Sequence, residues 1–121
     1  MTILARQLTY LTAAPNKVVK ILEKLGIELD TEVDFPPNCV DIYLPDYHVG
    51  VEVDGPNHSK IKDEERDYTL LNIYQLPIFH IPVEWIANPS YWVGDLIKVI
   101  ESYKYSKDER WEFCKMRTPW L

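Results

Sequence analysis

A group of acidic residues with one histidine lies between residues 41 and 67 and has the composition of a metal-binding site. Its members are Asp41, Glu52, Asp54, His58, Asp63, Arg66 and Asp67. Hard divalent cations such as Mg²⁺ prefer oxygen ligands, commonly one or two carboxylates completed by water and substrate phosphate. A histidine beside such an ion can take a proton from water, and an arginine can bind a phosphate. The set therefore predicts metal-assisted chemistry at a phosphate group.

Two runs with strand-like alternation must position these carboxylates. In residues 40–44 and 49–54 apolar and polar side chains alternate, and a few turn residues separate the runs, so the sequence predicts a β-hairpin. Because successive side chains of a strand point to opposite faces, Glu52 and Asp54 share one face. Asp41 lies on the polar face of the other run. If the apolar faces of both strands are buried, all three carboxylates emerge on the same side of the sheet.

Each of these residues also has a purely structural interpretation. Acids on the outer face of an antiparallel hairpin are ordinarily a solvated face, and a histidine just past a turn is often exposed or caps a helix. Asp63 and Asp67 would complement the dipole at the start of a helix, with Arg66 as their surface partner. The pattern alone leaves the structural and the chemical interpretation open.

The length of 121 residues predicts one domain. We expect N-terminal helices in 1–26, a core of hairpin, helix and strand in 31–86, and a C-terminal helix and tail in 89–121. Pro15 suits a first helical position, so the break at 14–16 would separate two helices. The elements expected outside the hairpin are helices at about 3–12 and 15–26, a short strand at 32–35, a helix at about 60–75, a buried strand at 77–82 and a helix after 88–90.

The composition is that of a globular chain with an uneven distribution of charge. Apolar residues make up 46% and aromatic residues 12%, and 13 Lys and Arg stand against 19 Asp and Glu, for a net charge of −6. This acidity excludes a protein that coats nucleic acid by bulk charge. Residues 27–54 contain no Lys or Arg and hold most of the excess acids. A cation bound there would invert the local charge before a phosphate arrives.

The cysteines and the apolar runs indicate the compartment. Cys39 and Cys114 lie far apart in the sequence, which suits neither a disulfide scaffold nor a zinc cluster. We therefore expect an intracellular, reducing compartment, either the cytoplasm or an organelle matrix. No apolar run approaches the ~20 residues that a membrane-spanning helix needs, and the first residues lack the layout of a signal peptide, so no membrane partner is expected.

The residues that follow position 40 match a known pattern, which extends over about residues 35–85. The matching segments are Val40-Asp41-Ile42-Tyr43-Leu44-Pro45, Val49-Gly50-Val51-Glu52-Val53-Asp54-Gly55-Pro56-Asn57-His58 and Asp63-Glu64-Glu65-Arg66. They resemble the central hairpin and following helix of the restriction-endonuclease-like, PD-(D/E)xK superfamily. More narrowly, they are similar to the branch of very-short-patch-repair-type endonucleases and their bacterial relatives. In that branch an aspartate strand leads into an E-x-D-G-x-x-H strand end and then a D-x-x-R helix.

This resemblance implies a fold and an activity. The fold is α/β, a restriction-endonuclease-like core in which a central mixed β-sheet is flanked by helices. The activity is that of a metal-dependent endonuclease that hydrolyses phosphodiester bonds in DNA, with Mg²⁺ or Mn²⁺ as cofactor. Asp41, Glu52 and Asp54 would hold the metal. The same three residues would be catalytic together with His58, which would orient or activate water.

The resemblance also implies phosphate-binding residues and partners. The superfamily usually has a lysine where this chain has Asp54, so Lys60, Lys62 or His58 would supply the base or the positive charge. Arg66 would join Lys60 and Lys62 in contacting phosphate. The implied partner is nucleic acid, DNA in preference to RNA. A homodimer is an option, because many such enzymes dimerise to cut two strands.

A second resemblance gives an alternative function. The segments Glu52-Val53-Asp54-Gly55-Pro56-Asn57-His58 and Ile81-Pro82-Val83-Glu84-Trp85 are similar to the E-V-D-G-P-x-H and I-P-x-x-E-W patterns of the RAP domain. RAP domains occur in eukaryotic organelle RNA-processing proteins, so this likeness implies a non-catalytic RNA-binding module. A third hypothesis is an interaction subunit that has kept the nuclease fold and lost the chemistry.

Overall fold

The structure is a computed structural model that describes residues 10–55, 60–101, 106, 108–110 and 112. Its helices are α1 (Tyr10–Lys24), α2 (Lys60–Tyr74) and α3 (Val93–Glu101), with short 3₁₀ turns at Val83–Trp85 and Pro89–Tyr91. Its strands are β1 (Asp30–Phe35), β2 (Asn38–Leu44), β3 (Val49–Asp54) and β4 (Ile78–Pro82). Over these ranges no helix combines the length and the apolar character needed to cross a membrane.

The four strands form one mixed sheet in the order β1-β2-β3-β4. The pairs β1–β2 and β2–β3 are antiparallel, whereas β3 and β4 are parallel. Helix α2 makes the crossover between β3 and β4, as a parallel connection requires. The expected hairpin, the strand near 78–82 and the mixed sheet are therefore confirmed, and β1 begins slightly earlier than the expected strand at 32–35.

Helices cover both faces of the sheet, which confirms the α/β architecture. On one face, buried residues of α1 and α3 pack against inward-facing residues of β2, β3 and β4. On the other face, Leu70 of α2 packs with Val40, Leu76 and Ile78. Strict alternation along β2 would place Val40 on the same face as Ile42. Val40 instead packs on the α2 face, at the point where the pairing of β2 with β3 ends. The polar residues of β3 therefore face a helix and not open solvent.

The expected break between two N-terminal helices is wrong. Helix α1 runs without interruption through Pro15, while residues 3–9 of the expected helix at 3–12 lie outside the described residues. Proline removes one backbone donor from a helix, but Val18 and Leu22 are fully buried and fix the following turns against the sheet. Gly26 ends the helix as expected, with φ of 75° and the Ile27 N–H donating to the Leu22 carbonyl at 3.0 Å.

The described part of the C-terminal tail docks onto the β2–β3 turn. Residues 108–110 are helical, and Arg110 is only 6% exposed. Its Nη2 donates to the carbonyl oxygens of Tyr47 at 2.9 Å and His48 at 3.3 Å. These bonds tie the tail to the hairpin that carries the acidic residues.

Candidate metal centre

Strands β2 and β3 separate at Asp41 and Glu52. Their regular pairing includes Leu44 with Val49 and ends at Ile42 with Val51. Beyond that pair the Asp41 N–H donates to the Glu52 carboxylate at 2.6 Å, and the Val53 N–H donates to the Asp41 carboxylate at 3.2 Å. Side-chain oxygens thus replace the carbonyl oxygens of a continuing ladder. The two carboxyl groups are thereby held together in the fork between the strands.

Helix α2 presents one polar side to this fork because of its residue spacing. Asp63, Arg66, Asp67 and Leu70 follow the i, i+3, i+4, i+7 pattern of a single helix face. Leu70 lies in the apolar contact with the sheet, so the three charged residues one and two turns earlier face the sheet as well. Asp67 is accordingly 0% exposed. Asp67 is therefore not the surface partner of Arg66 that the structural interpretation expects.

Arg66 forms an ion pair with Glu52. Its Nη2 donates a short hydrogen bond to Oε1 of Glu52, and its Nε lies 3.9 Å from Oδ1 of Asp67. Burial would lower the pKa of the guanidinium, but the Glu52 carboxylate opposes this and the net pKa is raised. Arg66 is therefore held as a fixed cation behind the carboxylates of the fork.

The pKa of Glu52 is raised from 4.5 to about 8. Burial is the main cause, since the residue is only 6% exposed, and the neighbouring Asp41 charge adds to it. Arg66 and the Asp41 N–H act in the opposite direction without overcoming them. The fork is thus a place where negative charge is crowded and poorly solvated.

His80 lies between two carboxylates at the end of the neighbouring strand. Its Nδ1 is 2.6 Å from Oδ2 of Asp54, and its Nε2 makes a short hydrogen bond to Oδ2 of Asp67. Carboxylates only accept hydrogen bonds, so both ring nitrogens donate and the ring is an imidazolium. Burial alone would lower its pKa, but the bonds to Asp54 and Asp67 raise it to about 10. Parallel register places His80 beside Glu52.

A second acid from α2 approaches the same histidine. One oxygen each of Asp54 and Asp63 and one ring nitrogen of His80 all lie within 4.8 Å of one another. Asp54 and Asp63 are partly buried and His80 is buried. Three donor atoms this close could bind one cation between α2 and the carboxyl ends of β3 and β4.

The structure gathers part of the predicted site and leaves part outside the described residues. Asp41 lies beside Glu52, Glu52 is paired with Arg66, and Asp54 is bonded to His80. Lys62 is exposed near the start of α2. His58 lies outside the described residues. Lys60 is the first residue of α2, and its side chain is likewise outside the description.

The site also contains the buried residues His80 and Asp67, which are bonded to each other. Sequence reasoning missed His80 and missed the burial of Asp67. For His80 the sequence predicts only a place in the buried strand at 77–82. A polar residue inside the apolar run Ile78-Phe79-His80-Ile81 is itself a signal, because a buried imidazole needs hydrogen-bond partners. The helix-face spacing from Asp63 to Leu70 was a second available signal.

Comparison with solved structures finds a likeness to a protein described as "Homing Endonuclease I-Bth0305I Catalytic Domain". The TM-score is 0.49 and the sequence identity 18%, over 86% of this chain and 95% of that chain. No family model and no curated protein matches the sequence. At this identity and TM-score no residue role is carried over from one chain to the other.

Proposed function

We propose that this chain is a metal-dependent endonuclease that hydrolyses phosphodiester bonds in DNA. The observation that carries the proposal is the fork between β2 and β3. There the carboxylates of Asp41 and Glu52 each accept a hydrogen bond from a backbone N–H of the other strand. Asp54 follows on the same face of β3. Carboxylate oxygens from adjacent strands are the donors that Mg²⁺ and Mn²⁺ favour.

The charge balance of the fork fits a divalent cation. Burial and the Asp41 charge raise the pKa of Glu52, and a bound cation would favour the ionised form of both carboxyl groups. Such a cation, when bound, would neutralise the scissile phosphate and lower the pKa of the attacking water. Asp41 and Glu52 would hold it, and Asp54 would complete or adjust the ligand set.

The cationic residues would then have separate tasks. Arg66 would keep Glu52 oriented through their ion pair, and its Nη groups would approach phosphate from behind the carboxylates. Lys62, which is exposed, would contact the DNA backbone together with Lys60. His58 would orient or activate water, as the E-x-D-G-x-x-H resemblance implies.

A non-catalytic RNA-binding module is the second candidate function. It is favoured by the way Arg66 and His80 already neutralise Glu52 and Asp54 within the fold, since carboxylates balanced in this way can serve stability alone. The RAP resemblance points to the same class. In that case the chain would bind RNA with strong salt dependence and without any need for metal.

A nuclease and binding assay with the full chain separates these functions. Supercoiled plasmid, single-stranded DNA and RNA are incubated with Mg²⁺ or Mn²⁺, and parallel samples contain a chelator. The proposal expects metal-dependent strand cleavage of DNA that the chelator abolishes. Tight, chelator-insensitive RNA binding with no cleavage of any substrate would instead establish the RNA-binding module and refute the nuclease.

A further inference from the structure

We propose that Asp54, Asp63 and His80 form a divalent-cation site in which Asp67 is a positioning residue for the His80 ring. Two of these ligands, Asp63 and His80, are outside the set that the sequence motifs assign to the metal. The proposal concerns cation binding and goes beyond the proposed hydrolysis, because a cation can bind here whether or not the chain cuts DNA.

The donor set and its rigidity support a cation. Asp54 comes from the end of β3, His80 from β4 and Asp63 from the first turn of α2, so three different elements converge within 4.8 Å. One imidazole nitrogen with two carboxylate oxygens suits Mn²⁺ or Zn²⁺ better than Mg²⁺, which strongly prefers oxygen ligands. The expected ligand is therefore a transition-metal dication.

Asp67 supplies the hydrogen bond that ligating histidines ordinarily need. It is fully buried and accepts from Nε2 of His80, which leaves Nδ1 directed at Asp54. A carboxylate on one ring nitrogen fixes the tautomer and orientation of a ring whose other nitrogen binds metal. The second oxygen of Asp67, Oδ1, lies 3.9 Å from Nε of Arg66.

The charge of the cluster also points to a cation. Three carboxylates, those of Asp54, Asp63 and Asp67, surround one histidine, and a cation bound at Nδ1 of His80 would displace the proton of that nitrogen. The nearby Arg66 is shared between Glu52 and Asp67. With the ring then neutral, a single dication would reduce the three negative charges of the cluster to one. It would bind beside the fork because Asp54 lies two residues from Glu52 on the same face.

Calorimetric titration of the metal-free chain with Mn²⁺ tests the site directly. Asp63→Asn removes one ligand without touching the bonds of His80 to Asp54 and Asp67, and the exposed Glu64 offers Glu64→Gln as a control with the same charge change. We expect Asp63→Asn and His80→Gln each to weaken Mn²⁺ at least about tenfold, and Glu64→Gln less than about twofold. Because His80 is buried, Asp63→Asn decides the outcome if His80→Gln does not fold.

Histidine ring resonances give a second readout that a purely structural cluster would not produce. The chain has three histidines, and His48, bonded to the Tyr43 hydroxyl and the Tyr74 carbonyl, serves as an internal reference. Substoichiometric Mn²⁺ should broaden the His80 ring signals before those of His48. Failure of Mn²⁺ to bind, equal affinities in Asp63→Asn and Glu64→Gln, or unchanged His80 signals would overturn the proposal.

The two proposals fail separately. Mn²⁺ binding that depends on Asp63 without any DNA cleavage would refute the nuclease and keep this site. Cleavage and Mn²⁺ binding that depend on Asp41 and Glu52 but tolerate Asp63→Asn would keep the nuclease and refute this site.

Discussion

The Asp41 N–H donates to the carboxylate of Glu52, and the Asp41 carboxylate accepts in turn from the Val53 N–H on the same neighbouring strand. In each strand, therefore, a backbone N–H donates to an acidic side chain of the other strand, at the point where the hydrogen-bond ladder would otherwise continue. This reciprocal arrangement keeps two carboxyl groups together although one of them is buried. An isosteric amide at either position can still accept these bonds, which makes the site testable without loss of the fold.

The ion pair between Arg66 and Glu52 should contribute to stability mainly above about pH 8, where Glu52 is ionised. Arg66→Met keeps much of the apolar stem but leaves a buried carboxylate without its cation, so we expect a loss of about 2 kcal/mol in unfolding free energy. The loss, largest at about pH 9, should shrink at about pH 6, because Glu52, whose pKa is raised to about 8, is then neutral. Urea unfolding at both pH values measures it, and Glu52→Gln in the Arg66→Met background should recover most of the loss.

Stability of the metal-free chain should fall as the pH rises through the alkaline range. The pKa of His80 is raised to about 10 in the folded chain from an ordinary 6.5, so the folded state retains the proton that the unfolded state releases. The stabilisation is complete below about pH 6.5 and is lost as the pH approaches about 10. Urea unfolding with a chelator present should show this decline, and His80→Gln should flatten it. An imidazole signal of His80 that titrates near its ordinary pKa would contradict the assignment.

Gly50 should be needed for the contact between β3 and β4. A Cβ at Gly50 would lie 2.6 Å from Cδ1 of Ile78, so Gly50→Ala should destabilise the chain by about 1–3 kcal/mol through overpacking. Gly94 is an exposed helical glycine, and a Cβ there would meet no atom within 4 Å. Gly94→Ala should therefore be neutral or stabilising by up to about 1 kcal/mol. Thermal unfolding of both variants measures the difference, and equal effects would show that the β3–β4 contact adapts.

Local pattern was sufficient to predict the hairpin and the shared face of Glu52 and Asp54, because these two acids alternate with valines within β3. The same reasoning could not show that this face is covered, since burial of Glu52 depends on helix α2 crossing the sheet. The approach of His80 to Asp54 depends on the parallel register of β4 with β3, which no local signal specifies. Pro15 misled the interpretation of α1, because tertiary packing of Val18 and Leu22 outweighs one missing backbone bond.

Plasmid cleavage by Asp41→Asn in the presence of Mn²⁺ tests the nuclease proposal most directly. Asp46 lies exposed in the turn of the same hairpin, so Asp46→Asn makes the same charge change away from the fork. We expect Asp41→Asn to reduce the cleavage rate at least about 100-fold, as the loss of a metal ligand should, while Asp46→Asn cuts like the wild type and all three proteins unfold alike. Equal cleavage by the two variants, or none by the wild type, would contradict the account.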